Sequence, residues 1–187
     1  MDFGIELPIL RGRAWVRRGV IPFDAILPAR YWKSGGRGGG PDDALLAAHA
    51  MEGIDPEFAR EAAAGGIAFV VAGRNFGAGG KSIEHPVLAL KAAGIRAVIA
   101  DSCSRYLYRN AIDHGLPVLL SPGIAMCVSS GDELEVDVTQ AVIRVVATGR
   151  RLTAAPIPLP LLRILECGGY VPYVRRSLED RVATRSS

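Results

Sequence analysis

The chain has 187 residues, 49% of them hydrophobic and 22% charged, enough apolar material for one globular domain with a real core, which excludes an intrinsically disordered chain. Its formal net charge is +3, and its 22 basic residues are spread along the sequence, so no block of like charge marks a nucleic-acid or membrane surface. Cys103, Cys127 and Cys167 lie far apart, a spacing that writes neither a zinc knuckle nor a self-contained iron–sulfur site.

In chain order, Arg13-Ala14-Trp15-Val16 and Ala25-Ile26-Leu27-Pro28 read as short extended segments, the second ended by a proline that cannot donate to a sheet ladder. Residues 32–41 contain five glycines and read as a mobile loop, since each glycine loses more backbone freedom on ordering than any other residue. Pro41-Asp42-Asp43 is a helix start, and residues 44–51 and 56–64 have helical composition. Ile67-Ala68-Phe69-Val70-Val71, Ala97-Val98-Ile99-Ala100 and Leu116-Pro117-Val118-Leu119-Leu120 are apolar runs that read as buried strands. Helices over residues 86–93 and 104–114 separate them, so strand and helix alternate as in a parallel α/β core. Leu134, Val136 and Val138 alternate with Glu133, Glu135 and Asp137 as a half-exposed strand, and Ile143-Arg144-Val145-Val146 is its hairpin partner. Residues 159–166 form a last short helix before Gly168-Gly169, and the polar residues from 175 onward read as a loosely ordered tail. The expected organisation is one domain over residues 1–175 and a polar tail over 176–187. The N-terminus lacks a basic region followed by an apolar stretch, and no apolar run reaches about 18 residues, so a cytoplasmic protein is expected.

The most informative segment is Gly73-Arg74-Asn75-Phe76-Gly77-Ala78-Gly79-Gly80-Lys81-Ser82-Ile83-Glu84-His85-Pro86, between a buried strand and a helix. Glycines let successive backbone N–H groups turn toward one point, and the helix start adds further donors. A carboxylate or phosphate cradle at Gly77, Gly79 and Gly80 is the functional reading; a plain tight connection is the bland one. Gly80-Lys81-Ser82 invites a nucleotide P-loop, but that motif needs a glycine where this chain has Asn75.

Gly73-Arg74-Asn75-Phe76-Gly77, Glu84-His85-Pro86 and residues 89–100 together resemble the small subunit of 3-isopropylmalate dehydratase and its homoaconitase relatives, which correspond to the swivelling domain of aconitase. The resemblance continues through Ile26-Leu27-Pro28-Ala29-Arg30-Tyr31, Tyr108-Arg109-Asn110-Ala111-Ile112, Gly115-Leu116-Pro117 and Ile164-Leu165-Glu166-Cys167-Gly168-Gly169, from residue 13 to about 175. It implies an α/β fold, the aconitase-type swivelling β/β/α domain with a central mixed, mainly parallel sheet flanked by helices. It also implies a hydro-lyase acting on a small hydroxy diacid. The small subunit closes over a large subunit that carries a [4Fe-4S] cluster, and no cofactor sits in this chain.

The family's turn reads N-F-G-x-G-S-S-R-E-H, with its first serine taken as the base and its arginine as a substrate clamp. Here six residues separate Asn75-Phe76-Gly77 from Glu84-His85, where the family has five. Aligned from the Glu-His side, Lys81 falls at the base serine, Ser82 at the second serine and Ile83 at the arginine. A serine is a poor base unless its alkoxide is stabilised, and a lysine serves only if burial lowers its pKa, so Ser82 and Lys81 both stand as catalytic candidates. Isoleucine supplies no two-pronged carboxylate partner. Asp24 keeps the last acid of the family's D-T-D-x-I-I-P pattern. Tyr31-Trp32-Lys33 stands where relatives read the substrate's variable group, so Asp24 and Lys33 join the glycines as substrate-binding candidates, and Trp32 would narrow the space.

Of the other polar side chains, His85 reads as a helix-terminus hydrogen-bonding group, His49 and His114 as structural or exposed, Cys103 as packing and Trp15 as core. Arg105 and Arg109 read as supports of the fold or of a partner interface. Three functions remain open: a hydro-lyase small subunit, a catalytically degraded or regulatory relative, and a stand-alone binder of phosphorylated ligands.

Overall fold

The computed structural model describes residues 7–32, 42–79 and 82–185, with side chains through residue 182. Strand β1 (Leu10–Arg17) is the axis of the architecture. Its second half, Ala14 to Arg17, pairs in parallel with β2 (Phe69–Ala72), and its first half, Leu10 to Arg13, pairs antiparallel with β5 (Glu133–Asp137). On the β2 side follow β3 (Ala97–Ala100) and β4 (Val118–Leu120), all parallel; on the β5 side follow β6 (Val142–Val145) and β7 (Arg151–Thr153), all antiparallel. The resulting mixed sheet has the order β4-β3-β2-β1-β5-β6-β7.

The parallel strands are apolar at every position because both of their faces are covered. One face carries Val70, Ala72, Val98 and Ala100 against five helices: α1 (Phe23–Ile26), α2 (Asp43–Ala48), α3 (Phe58–Ala63), α4 (His85–Ala92) and α5 (Arg105–Asp113). The other carries Phe69, Val71, Ile99 and Leu119 against α6 (Ile124–Cys127), α7 (Leu159–Glu166) and the apolar face of β5 and β6. Capping follows the sequence. Asp42 accepts from Leu45 N (3.2 Å), Ser104 accepts from Leu107 N (3.3 Å), and Gly94 ends α4 at φ +91°. Trp15 is core, as expected, with its indole N–H donating to Asp55 Oδ2 at 2.9 Å.

Two segments depart from the sequence reading. Ala25-Ile26-Leu27-Pro28 was expected to be extended, but Ala25 and Ile26 belong to α1 and only its C-cap, Leu27, is extended: Pro22 offers its carbonyl to Ala25 N and Ile26 N, and a helical turn then buries Phe23 and Ile26 together. The segment read as a loose tail is helix α8 (Tyr170–Arg185), polar and largely exposed, packed on α5 and α7. The glycine-rich loop expected over residues 32–41 falls outside the described residues from 33 onward.

Candidate functional site

The carboxyl ends of β1, β2, β3 and β4 open on one edge of the molecule, where ligands of open α/β sheets bind. The glycine turn leaves β2 there, and its course is fixed by close approach. A Cβ on Gly73 would lie 2.1 Å from the Arg18 carbonyl oxygen, so only glycine lets β2 pass beneath that loop. Asn75 (φ +57°) and Gly77 (φ +74°) then take left-handed conformations that asparagine and glycine tolerate best. A Cβ at Gly77 would stand 2.6 Å from Leu107 Cδ1.

The first half of the turn is stitched to two distant loops. Asn75 N donates to Ser102 Oγ (2.9 Å) and Phe76 N to the Ser102 carbonyl (3.0 Å), while Ser104 N donates to the Phe76 carbonyl (2.8 Å). On the other side Gly77 N and Ala78 N donate to the Ile21 carbonyl (2.8 and 3.3 Å), and Phe23 N donates to the Ala78 carbonyl (2.7 Å). Phe76, fully buried, pins the turn to the core. The donors of residues 75–78 are therefore engaged within the protein. Gly77, buried and left-handed, therefore contributes shape and not a free donor.

This stitching brings the start of α1, Pro22 and Phe23, beside Ala78 and Gly79, where a Cβ on Gly79 would lie 3.9 Å from Phe23 Cβ; Asp24 follows in the first turn of α1. Ser82 is exposed, on the far shoulder of the turn just ahead of α4. Gly80, Lys81 and Lys33 lie outside the described residues. Ile83 packs half-buried against the core, with its carbonyl accepting from Asn110 Nδ2 at 3.0 Å. His85, expected to make a helix-terminus hydrogen bond, has a buried Nδ1 with no partner among the described residues. An unsatisfied buried polar atom costs about 1–3 kcal/mol, so this imidazole carries an open hydrogen-bonding demand at the junction of turn and helix.

Sequence reasoning missed the knot beside Trp32. The Tyr31 ring stacks on His49 (centroids 3.9 Å apart, 11° between planes), and Arg30 lies 4.7 Å over the other partner of that stack, the Tyr31 ring. His49 Nδ1 meets Glu52 Oε2 at 2.6 Å, and Arg30 pairs with the other Glu52 oxygen. Burial pushes the Glu52 carboxyl up, but hydrogen bonds to His49 and Tyr31 and the Arg30 charge outweigh it and hold it below its usual value. The i, i+3 spacing of His49 and Glu52 was the available signal. Trp32 is half-buried, its indole donating to the Leu27 carbonyl (3.0 Å) and its ring edge-on to Phe23, next to Asp24.

Among the described residues no group of three or more His, Cys, Asp or Glu side chains converges on a point. Burial pushes the Cys103 thiol up to about 12, which keeps it protonated at neutral pH. Cys103, Cys127 and Cys167, all among the described residues, do not gather into one ligand set.

Against known proteins, the aconitase C-terminal domain family matches residues 53–122. A 3-isopropylmalate dehydratase small subunit of Pyrobaculum calidifontis is 46% identical over 167 residues, covering 89% of this chain and 98% of that protein. The 3-isopropylmalate dehydratase small subunit 1 of Methanopyrus kandleri is 43% identical over 168 residues, 90% and 94% of the two chains. An isopropylmalate/citramalate isomerase small subunit of Methanocaldococcus jannaschii is 41% identical over 172 residues, 92% and 97%. The crystal structure of a 3-isopropylmalate dehydratase from Methanocaldococcus jannaschii superposes with a TM-score of 0.80 at 31% identity, covering 96% of this chain and all of that one.

Proposed function

Since the chain belongs to the 3-isopropylmalate dehydratase small-subunit family, hydro-lyase subunits of the aconitase type, we propose that it pairs with a cluster-bearing large subunit. Together they remove and re-add water on a small hydroxy diacid in the cytoplasm. The observation that carries this reading is the glycine turn, held at the sheet's carboxyl edge against the start of α1 in a chain whose likeness to the family runs nearly end to end.

The [4Fe-4S] cluster of the large subunit supplies a Lewis-acid iron. This chain supplies position and proton transfer. N–H groups from Gly79 and Gly80 donate to a substrate carboxylate, Asp24 and Lys33 contact its polar groups, and Gly77 keeps the floor of the turn free of side chain. Lys81 or Ser82 takes the proton from the carbon next to the carboxylate. That electron pair forms the alkene as the carbon–hydroxyl bond breaks, and the departing hydroxide takes a proton from solvent to leave as water. His85 Nδ1 offers one further hydrogen bond to the closed site.

One observation favours a second reading, a relative that keeps fold and partner but has lost activity: Ile83 stands at the family's clamp arginine and packs into the core. An anaerobic water-elimination assay on hydroxy diacids, following alkene absorbance in the mixed subunits, separates the two. Loss of turnover in Lys81→Ala with retention in Ser82→Ala assigns the base to Lys81, and the reverse assigns it to Ser82. A formed complex silent toward isopropylmalate and citramalate supports the degraded relative. Binding of phosphorylated ligands by the isolated chain, read by calorimetry, would instead favour the stand-alone binder.

A further inference from the structure

The two ends of the glycine turn are held in different ways. Residues 75–78 are fixed by their own backbone groups, bonded to Ile21 and Ser102. The far shoulder, Ile83 and Glu84, is held by side chains from the C-terminal end of α5. Asn110 Nδ2 donates to the Ile83 carbonyl at 3.0 Å, and His114 Nε2 lies 3.2 Å from Glu84 Oε2. Asn110 and His114 are four residues apart and so share one side of α5, and His114 N donates to the Asn110 carbonyl (3.0 Å). From the last turn of α4, Lys91 Nζ donates to the His114 carbonyl. Helix α4 is thus strapped to one spot from both of its ends. That spot is itself seated by close approach. A Cβ on Gly115 would lie 2.3 Å from the Gly168 carbonyl oxygen, and one on Gly169 would lie 2.6 Å from the Asp113 carbonyl oxygen, so glycine backbone rests on glycine backbone. Ala111 and Ile112 are buried just before it. The Gly168-Gly169 pair, read in the sequence as a helix stop, seats the end of α5.

We propose that Asn110 and His114 are positioning residues for the proton-transfer step: by tying Ile83 and Glu84 to the end of α5, they set where the adjoining base, Ser82 or Lys81, stands relative to the first half of the turn. The assignment rests on the hydro-lyase reading. Neither side chain touches substrate; each acts through the residue it holds. Ile83 and Glu84 directly follow the candidate bases, so losing either strap frees that shoulder while the bonds at residues 75–78 stay made. A reacting group displaced by about 1 Å loses up to about a hundredfold in rate, which makes a hydrogen bond outside the site felt in the chemistry.

The test uses Asn110→Asp, which keeps the shape and removes the donor, with Asn110→Ala as a second variant, and His114→Leu against His114→Gln, which keeps a donor for Glu84. Melting curves first establish that each variant is folded at the assay temperature. Hydrogen exchange of the full chain, read by mass spectrometry, should then show faster exchange confined to residues 83–88 in the Asn110 variants and His114→Leu, with residues 73–78 unchanged. In the pair reconstituted anaerobically with the cluster-loaded large subunit, these variants should lower kcat about tenfold or more and leave KM within about twofold. Deuterium on the substrate carbon next to the carboxylate should slow them at least as much as it slows wild type, because the proton step is the one impaired. His114→Gln is expected to restore both exchange and kcat. Exchange that is unchanged or raised throughout the chain, wild-type kcat in the folded variants, a smaller isotope effect, or a glutamine variant as slow as the leucine one would each overturn the positioning role and leave the hydro-lyase reading standing. A wild-type pair without turnover overturns both.

Discussion

The two halves of the sheet are built on opposite economies. In the parallel half, β2 and β3 bury every side chain on both faces, and the functional turn grows from that rigid platform. In the antiparallel half, β5 and β6 bury only alternate residues and leave a polar face where Arg11, Glu135 and Arg144 form an ion-pair ladder. The difference teaches where sequence change is tolerated: the parallel half resists any polar insertion, while the outer face of the antiparallel half trades charges cheaply.

The largest expected effect breaks the platform. Val70, fully buried in β2, changed to aspartate places an unpaired charge in the core and should cost more than about 4 kcal/mol; chemical denaturation should find the variant unfolded or insoluble, and an unchanged melting curve would refute the double-sided core. Next is the platform's outlet. Gly77→Ala forces a side chain into a left-handed residue and onto Leu107, at about 1–3 kcal/mol, measurable as a lowered denaturation midpoint; a neutral result would mean that the turn is not held as described. Ser104→Ala removes the α5 cap and should cost about 1 kcal/mol by the same measurement.

The antiparallel half gives the smallest effect. Arg144→Ala removes an exposed partner from Glu135, which keeps Arg11, and should shift stability by less than about 1 kcal/mol; a larger loss would contradict the contrast between halves. The Glu52 knot sits on the helical side of the parallel half, where Tyr31 packs against the core. Its carboxyl pKa is depressed in the folded state, so the stability it contributes is present above the ordinary carboxylate value and is lost as pH falls through the folded value. The stability gap between wild type and Glu52→Gln should therefore narrow as pH is lowered from neutral to below about 4; a constant gap would refute the charge-based account.

The parallel core was legible because Phe69-Val70-Val71 and Ala97-Val98-Ile99-Ala100 are continuous apolar runs bounded by turn residues, and the β5–β6 hairpin because Leu134 and Val136 alternate with acids. Strand β7 was missed since Arg151-Leu152-Thr153 offers one apolar side chain and no period. Helix α1 was misread because the apolar triplet after Ala25 fits a strand equally well; the cap at Pro22 and the joint burial of Phe23 and Ile26 decide it, and both depend on tertiary contacts. Helix α8 carries Val171, Leu178 and Val182 too sparsely for a periodic signal, so a helix was read as a tail. At the site, the glycine turn announced itself by composition. That the donors of residues 75–78 are engaged did not, because Ile21 and Ser102, which take them, arrive from segments more than twenty residues away at the nearest.

The most direct test of the central claim is anaerobic reconstitution of this chain with the cluster-loaded large subunit, assayed for alkene formation from isopropylmalate and citramalate against each subunit alone. The account predicts turnover only when both chains are present. Turnover by either chain alone at the mixed rate, or a wild-type pair that neither associates nor reacts, would contradict it.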